Sequence, residues 1–220
     1  MCKPASMILT KEHVYWSRCT DSHDELITEH KLRESIGHNL NIQILRVEIA
    51  PSDGDLSADP ATWLYNTDQV ILPDWYNATR DEERARLALK DWVAAAICKA
   101  DEIKLLGNQR AWAYDNSQVT AYDSSQVKAS GNSQVRACDS SQVTAYDNSQ
   151  VTAYDSSQVK AYGNSQVRAC GSSQVTAYDR SQVKASQDST VVSWNANEIE
   201  LSDNAIEVAR SASKPEVYSA

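Results

Sequence analysis

Two groups of residues in this chain have types and spacings that invite a chemical reading. The first lies near the start: His13, Tyr15, Cys19, Asp21, Ser22 and His23. A cysteine or serine beside a histidine is the raw material of nucleophilic catalysis, the imidazole taking the proton as sulfur or oxygen attacks. The spacing argues otherwise. Ser22 and His23 are neighbours at a helix start, and adjacent helical residues do not face one another. Ser22 reads better as an N-cap and His23 as a surface or packing residue. No catalytic residue is assigned. His13, His23, His30 and His38 show no pairing with cysteine or carboxylate at ligand spacing, so no metal is expected. With six glycines and no glycine-rich phosphate loop, no cofactor is expected either.

The second group is larger and regular. The phrase Ser-Gln-Val begins at Ser117 and recurs every eight residues to Ser181, nine copies in all. A short fixed period is the signature of a solenoid. In the copy Ser117-Gln118-Val119-Thr120-Ala121-Tyr122-Asp123-Ser124, strand alternation puts Ser117, Val119 and Ala121 on one face and Gln118, Thr120 and Tyr122 on the other. The small, constant set is the inside. The varying set is the outside, and its candidate binding residues are Gln118, Thr120, Tyr122, Lys128, Arg136, Tyr146, Tyr154, Lys160, Tyr162, Arg168 and Tyr178. Such rows of hydrogen-bonding, cationic and aromatic groups suit a repetitive partner. Glutamine ladders and stacked tyrosines also stabilise a solenoid while binding nothing. Asp123-Ser124 reads as a corner, and Gly131-Asn132, Gly163-Asn164 and Gly171-Ser172 take the same slot.

The coil length follows from charge. With three octads per coil, Arg136, Lys160 and Lys184 would stack directly about 4.8 Å apart, which is repulsive. With two, threonines separate most cations. The 16-residue coil is therefore predicted, with Val119 stacked on Val135 and Thr120 on Arg136. The phase extends upstream to Ile103 and Leu105 and downstream to Val191, Ile199 and Leu201, while Ile206 and Val208 arrive one residue early. About fourteen octads give about seven coils, roughly 30–35 Å of solenoid. A second period lies above the first, because the stretch from Val119 reappears almost unchanged from Val151.

Residues 1–100 are not repetitive. Strands are predicted at Met7–Leu9, His13–Trp16, Asn41–Ala50, Trp63–Tyr65 and Val70–Leu72, and a helix from Asp21 to about Ser35. Pro51 to Pro60 is turn-rich. A second helix, capped by Thr79 and running to about Lys99, has an apolar face expected to cover the first coil and its open sheet edge. The fold class is thus a β-solenoid, a parallel β-helix with 16-residue coils of two octads, behind an N-terminal α+β capping domain. The divisions expected are 1–100, 101–210 for the solenoid and 211–220 for a C-terminal tail.

The octads resemble those of bacterial ice-nucleation proteins, which pair octads into 16-residue coils and carry Thr-x-Thr on an outer face. The resemblance covers about half of the chain and implies the coil. Aligned on Ser-Gln-Val-Thr-Ala, the two threonine positions fall at Gln118 and Thr120, Gln126 and Lys128, Gln134 and Arg136. The first is Gln in all nine copies and the second is Lys or Arg in five.

Composition bounds the rest. The formal net charge is −9, and no basic patch points to nucleic acid. The start, Met1-Cys2-Lys3-Pro4, lacks an apolar core, so no signal peptide is expected, and no run approaches a membrane span. Five widely spaced cysteines fit a reducing cytoplasm. The reading is a non-enzymatic, cytoplasmic tandem-repeat protein that binds another protein or a repetitive surface, or serves structurally, in the style of a phage or prophage accessory protein. Self-association through solenoid ends or faces is a further partner expectation. The alternatives are an ice- or surface-binding protein, and an enzyme or effector seated in residues 1–100 with the solenoid as scaffold.

Overall fold

A computed structural model describes residues 4–33, 35–36, 41–99, 102–194 and 198–210. The tail predicted from residue 211 and His38 lie outside them. The chain forms two compact units, Met1–Ile97 and Cys98–Ala220.

The first unit is built on an antiparallel sheet of β1 (Ala5–Leu9), β2 (Val14–Tyr15), β5 (Leu45–Ala50) and β6 (Leu64–Thr67), in the order β2-β1-β5-β6. A small hairpin pairs β3 (Ser35–Ile36) with β4 (Asn41–Ile42). All five β1 residues are buried, so both sheet faces are covered. Helix α1 (His23–Glu29) covers one, packing Leu26 on Ile8 and Ile44. Helix α2 (Ala78–Ala96) also packs on β1 and β5, with Asp81, Ala85, Leu89, Trp92 and Ala96 as its buried stripe. The spacing of that stripe, three and four residues, is one helical face.

Three expectations are corrected here. Helix α1 ends at Glu29 rather than Ser35, because Lys31 takes a left-handed backbone (φ 53°) that no helix continues through. The cap of α2 is Asn77, not Thr79. Asn77 Oδ1 accepts from the Arg80 N–H at 2.9 Å, and the Asn77 N–H donates back to Asp81 Oδ2 at 2.8 Å. Val70–Leu72 form no strand. Gln69 takes the ladder position beside β5 instead, accepting from Arg46 N–H at 2.8 Å and donating to Ile44 O at 3.3 Å. Val70 and Ile71 are left exposed. Within its own unit α2 packs on β1, β2, β5 and the 3-10 turn Pro60–Thr62. Leu87 lies off the stripe and is exposed.

The second unit is the predicted solenoid. Its rungs begin with β7 (Ile97–Cys98), β8 (Glu102–Leu105) and β9 (Arg110–Ala113). The nine Ser-Gln-Val octads then give β10 to β18, four-residue strands running from Gln to Ala, Gln118–Ala121 through Gln182–Ala185. The array closes with β19 (Thr190–Trp194), β20 (Glu198–Leu201) and β21 (Ile206–Arg210). Even-numbered strands form a seven-stranded parallel sheet, and odd-numbered strands from β7 an eight-stranded one. Val119 pairs with Val135 and Thr120 with Arg136, so each coil is two octads and 16 residues. The interior is a thin layer of Val, Ala and Ser; the valines are 1–4 % exposed and the octad serines fully buried.

The corners explain why Asp and Gly share one slot. Asp123, Asp139, Asp155 and their equivalents hold φ near +55°, a region asparagine and aspartate tolerate and glycine enters freely. At Gly171 a β-carbon would stand 2.9 Å from the backbone nitrogen of Asp155, too close without movement. Where the corner sixteen residues on is Asp or Gln, it caps the N–H before it: Gly107 N–H donates to Asp123 Oδ2 at 2.8 Å, and Asp123 N–H to Asp139 Oδ2 at 3.2 Å.

The last rung departs from the inward pattern. The 16-residue register holds through β21, which pairs Val191 with Glu207 and Val192 with Val208. Ile206 and Val208 therefore take outward positions and are exposed, while Glu207 occupies the inward row and meets Ser193 Oγ. Keeping the ladder hydrogen bonds outweighs burying two side chains on a rung with a single neighbour.

Candidate functional site

The parallel register sorts the predicted outward residues onto two faces. Gln118, Thr120, Tyr122, Arg136, Tyr154 and Arg168 belong to the seven-stranded sheet and its edge. Lys128, Tyr146, Lys160, Tyr162 and Tyr178 belong to the eight-stranded one.

On the seven-stranded face the second outward column reads Lys104, Thr120, Arg136, Thr152, Arg168, Lys184 and Glu200. Beside it runs Gln118, Gln134, Gln150, Gln166 and Gln182. Threonine alternates with a cation over most of the column. Arg168 and Lys184 are direct neighbours, and Lys184 Nζ turns to Glu200 Oε2 at 2.9 Å. The short threonines between long neighbours leave a depression of about 300 Å³, lined by Gln118, Thr120, Gln134, Arg136, Gln150, Thr152 and Tyr154. The eight-stranded face carries Trp112, Lys128, Thr144, Lys160, Thr176, Val192 and Val208, with a smaller depression of about 160 Å³ among Gln142, Thr144, Lys160 and Thr176.

The tyrosines behave differently on the two sides. Beside the eight-stranded face, Tyr146, Tyr162, Tyr178 and Trp194 stack in sequence, with centroids 5.2, 4.7 and 6.3 Å apart and planes within 13° of parallel. Burial within the stack, and then the neighbouring Tyr178 and Tyr146, push the Tyr162 hydroxyl above its ordinary pKa. Beside the seven-stranded face the tyrosine column is broken by Cys138 and Cys170. Here cations cover the rings instead: Arg136 lies 4.6 Å from the Tyr154 centroid and Lys104 4.8 Å from Tyr122. A hydrogen bond to Cys138, then the Tyr154 ring, hold Arg136 more firmly charged. Ring faces on both sides are thus engaged internally, and Gln, Thr, Lys and Arg are the groups held outward along the strands.

The amino-terminal set is dispersed into separate tasks. Ser22 caps α1, accepting from the Glu25 N–H at 3.4 Å. His23 is turned inward, 3 % exposed. His13 sits edge-on to Tyr15, whose ring lies 4.7 Å from His30. A groove of about 940 Å³ runs between α2 and the Pro60–Thr62 turn, floored by Pro60, Ala61, Leu87, Leu89 and Val93 and edged by Glu82, Arg86 and Lys90. Sequence reasoning missed this groove because it needs the turn and helix brought side by side. It also missed the split of the tyrosines into one stacked and one broken column, although the 16-residue register, applied to every Tyr position, reveals it. No helix among the described residues is long and apolar enough to cross a membrane. Searches of family models, curated proteins and solved structures return no match to this chain.

Proposed function

We propose that the chain is a non-enzymatic solenoid binding module whose outer faces engage an extended or repetitive macromolecular partner, most simply a protein surface bearing regularly spaced anionic groups. The observation that carries this reading is the in-register outward column Thr120, Arg136, Thr152, Arg168 beside an unbroken glutamine column. Arg136 and Arg168 are two rungs apart, about 9.6 Å at a strand spacing of ~4.8 Å. Within the nine Ser-Gln-Val octads the acids sit at the corners, so the faces there are cationic although the chain is not. A partner carrying carboxylates at that interval meets a guanidinium, with its bidentate hydrogen-bonding fork, at every second rung.

The hydroxyl reading required by ice binding has less support, because a cation or Gln interrupts the threonines on both faces. The test is cross-linking of intact protein in its host, wild type against the double variant Arg136→Glu and Arg168→Glu. Cross-links mapping to the outer strand positions and lost in the variant support the module. Cross-links confined to residues 4–97, or unchanged in the variant, sink it. A measurable thermal hysteresis would favour ice binding instead.

A further inference from the structure

In the N-terminal unit, three side chains far apart in sequence converge: His23 at the start of α1, Glu48 on β5 and Asp68 just past β6. One donor atom from each lies within 4.8 Å of the other two. The backbone reasons are local. Ser22 caps α1 and so seats His23 over the sheet. Glu48 follows Val47 on β5, where it pairs with Ser6 and Asn66. Asp68 is anchored by its N–H donating to Arg46 O at 2.8 Å, one bond beyond the β5–β6 ladder.

The protonation of His23 follows from its contacts. Nε2 lies 3.0 Å from Val47 O, and a backbone carbonyl accepts only, so Nε2 carries a proton. Nδ1 points at Asp68 Oδ2, 3.3 Å away. A cation placed between that nitrogen and the carboxylate would be held by both. A second proton on Nδ1 would satisfy that pair alone, and a third donor, Glu48, reaches the same place. At metal–ligand bonds of about 2.0–2.2 Å and interligand angles of about 90–110°, adjacent ligand atoms stand about 3.0–3.5 Å apart. The Nδ1–Oδ2 separation is one such edge. A ligating histidine characteristically donates its other N–H to a backbone carbonyl, which fixes the ring, and Val47 O does this here.

We propose that His23 Nδ1, Glu48 and Asp68 bind a divalent transition-metal ion of the zinc type. One imidazole and two carboxylates form a mixed N/O set of borderline hardness that suits such an ion. His23 is buried, whereas the Asp68 side chain is about half exposed, at 54 %. The site therefore opens to solvent on the Asp68 side and leaves a coordination position for water. The sequence hides the set because its members are about 20 residues or more apart and fall into no ligand spacing; only the α1 and β6 contacts with β5 assemble them.

The test uses the full chain stripped with chelator and titrated with Zn²⁺ and Co²⁺. Expected are one equivalent bound, ligand-field bands from Co²⁺, and a Zn²⁺-induced shift of the His23 ring nitrogens in ¹⁵N spectra while the other histidines stay put. Asp68→Asn and Glu48→Gln should each weaken binding by about tenfold or more. Asp68→Asn is exposed enough to keep the fold, which circular dichroism verifies. Absence of binding overturns the proposal. So does binding that both variants leave unchanged, which would place the ion on the cysteines, and so do His23 nitrogens that respond to acid but not to metal.

Discussion

The two units solve the same problem, covering sheet faces, by opposite means. In the solenoid each inward environment recurs every 16 residues and is made by neighbours in the adjacent coils; Val119, Val135, Val151 and Val167 occupy one kind of place. In the N-terminal unit each contact is made once. β1 is buried because α1, α2, β2 and β5 all arrive at it from distant stretches of chain. The repeat spreads its stability over many similar small terms, whereas the first unit concentrates it in a few particular ones. Damage should therefore scale with whether a substitution breaks the shared interior or merely an outward place, and, in the first unit, with whether it touches a polar contact that has no duplicate.

The harshest test of that contrast is Val151→Asp. An unpaired carboxylate would enter a dry layer of Val and Ala, at a cost above about 4 kcal/mol. Unfolding or aggregation of the array, read by urea melts and light scattering, is the expected result; a near-normal melt would mean that inside and outside are reversed. Next is Asp81→Ala. Asp81 is fully buried and held by Arg80 Nη2 at 2.8 Å, Arg84 Nη1 at 2.9 Å and the Asn77 N–H. Removing it takes one acceptor from each of two arginines, which keep Trp75 O and Thr10 O, and the acceptor of the Asn77 N–H, a loss of about 3 kcal/mol. The solenoid transition should be untouched, so two-probe unfolding separates the units.

The same carboxylate makes a pH prediction. Burial alone would raise its pKa, but hydrogen bonds from Arg80, the Asn77 N–H and Arg84 outweigh that and hold it below the ordinary carboxylate value. A depressed folded pKa gives stability that is present above the unfolded pKa, near 3.9, and lost as pH falls through the lower folded value. Acid melts of the wild type should show this loss for the N-terminal unit, and Asp81→Asn should lack it.

Smaller effects grade the outer surface. Tyr162→Ala removes two stacking contacts and should cost about 1–3 kcal/mol, whereas the matching change at Tyr122, outside the continuous stack, should cost less. Thr152→Asp is the gentlest. It points outward between Arg136 and Arg168 and should change stability by no more than about 0.5 kcal/mol. Equal damage from Thr152→Asp and Val151→Asp would erase the distinction between the faces.

The same contrast governs what was legible in advance. Alternation within Ser-Gln-Val-Thr-Ala and the cost of stacked cations were enough to foresee the 16-residue coil and the inward and outward sets, because a solenoid makes local pattern and global position the same thing. The final rung broke that identity, since at Ile206 backbone register outranked side-chain phase. In the first unit the strand expected over Asn41–Ala50 was foreseen in its second part, Leu45–Ala50, while Asn41–Ile42 pairs separately with β3, and Ser22 was foreseen as a cap. What escaped depended on single side chains acting at a distance: Gln69 displacing a strand beside β5, and Asn77 and Asp81 capping each other across the start of α2. The eleven outward residues were identified as outward, but their division between two faces required the register, and the His23, Glu48 and Asp68 convergence required the fold itself.

The corner caps carry one more consequence, for how such a chain can change length. A corner N–H takes its acceptor from the following coil only where that coil's corner is Asp or Gln, as at Gly107, Asp123 and Gly131, so an inserted coil supplies the group its predecessor needs only if its own corner is of that kind. Insertion or loss of 16 residues is therefore neutral at the corners where Asp follows Asp, as at Asp123, Asp139 and Asp155, but disturbs the alternation of Asp115, Gly131, Asp147 and Gly163. Eight disturbs more: every downstream strand would change sheets, splicing the stacked tyrosines onto the column of Cys138 and Cys170. Sixteen keeps the sheets but sets threonine where arginine stood. Thirty-two preserves sheet, column and alternation together, so that Thr120 maps to Thr152, Arg136 to Arg168 and Cys138 to Cys170. The duplication visible in the chain has that length, and recombination between its copies would lengthen the binding faces in whole, already matched segments.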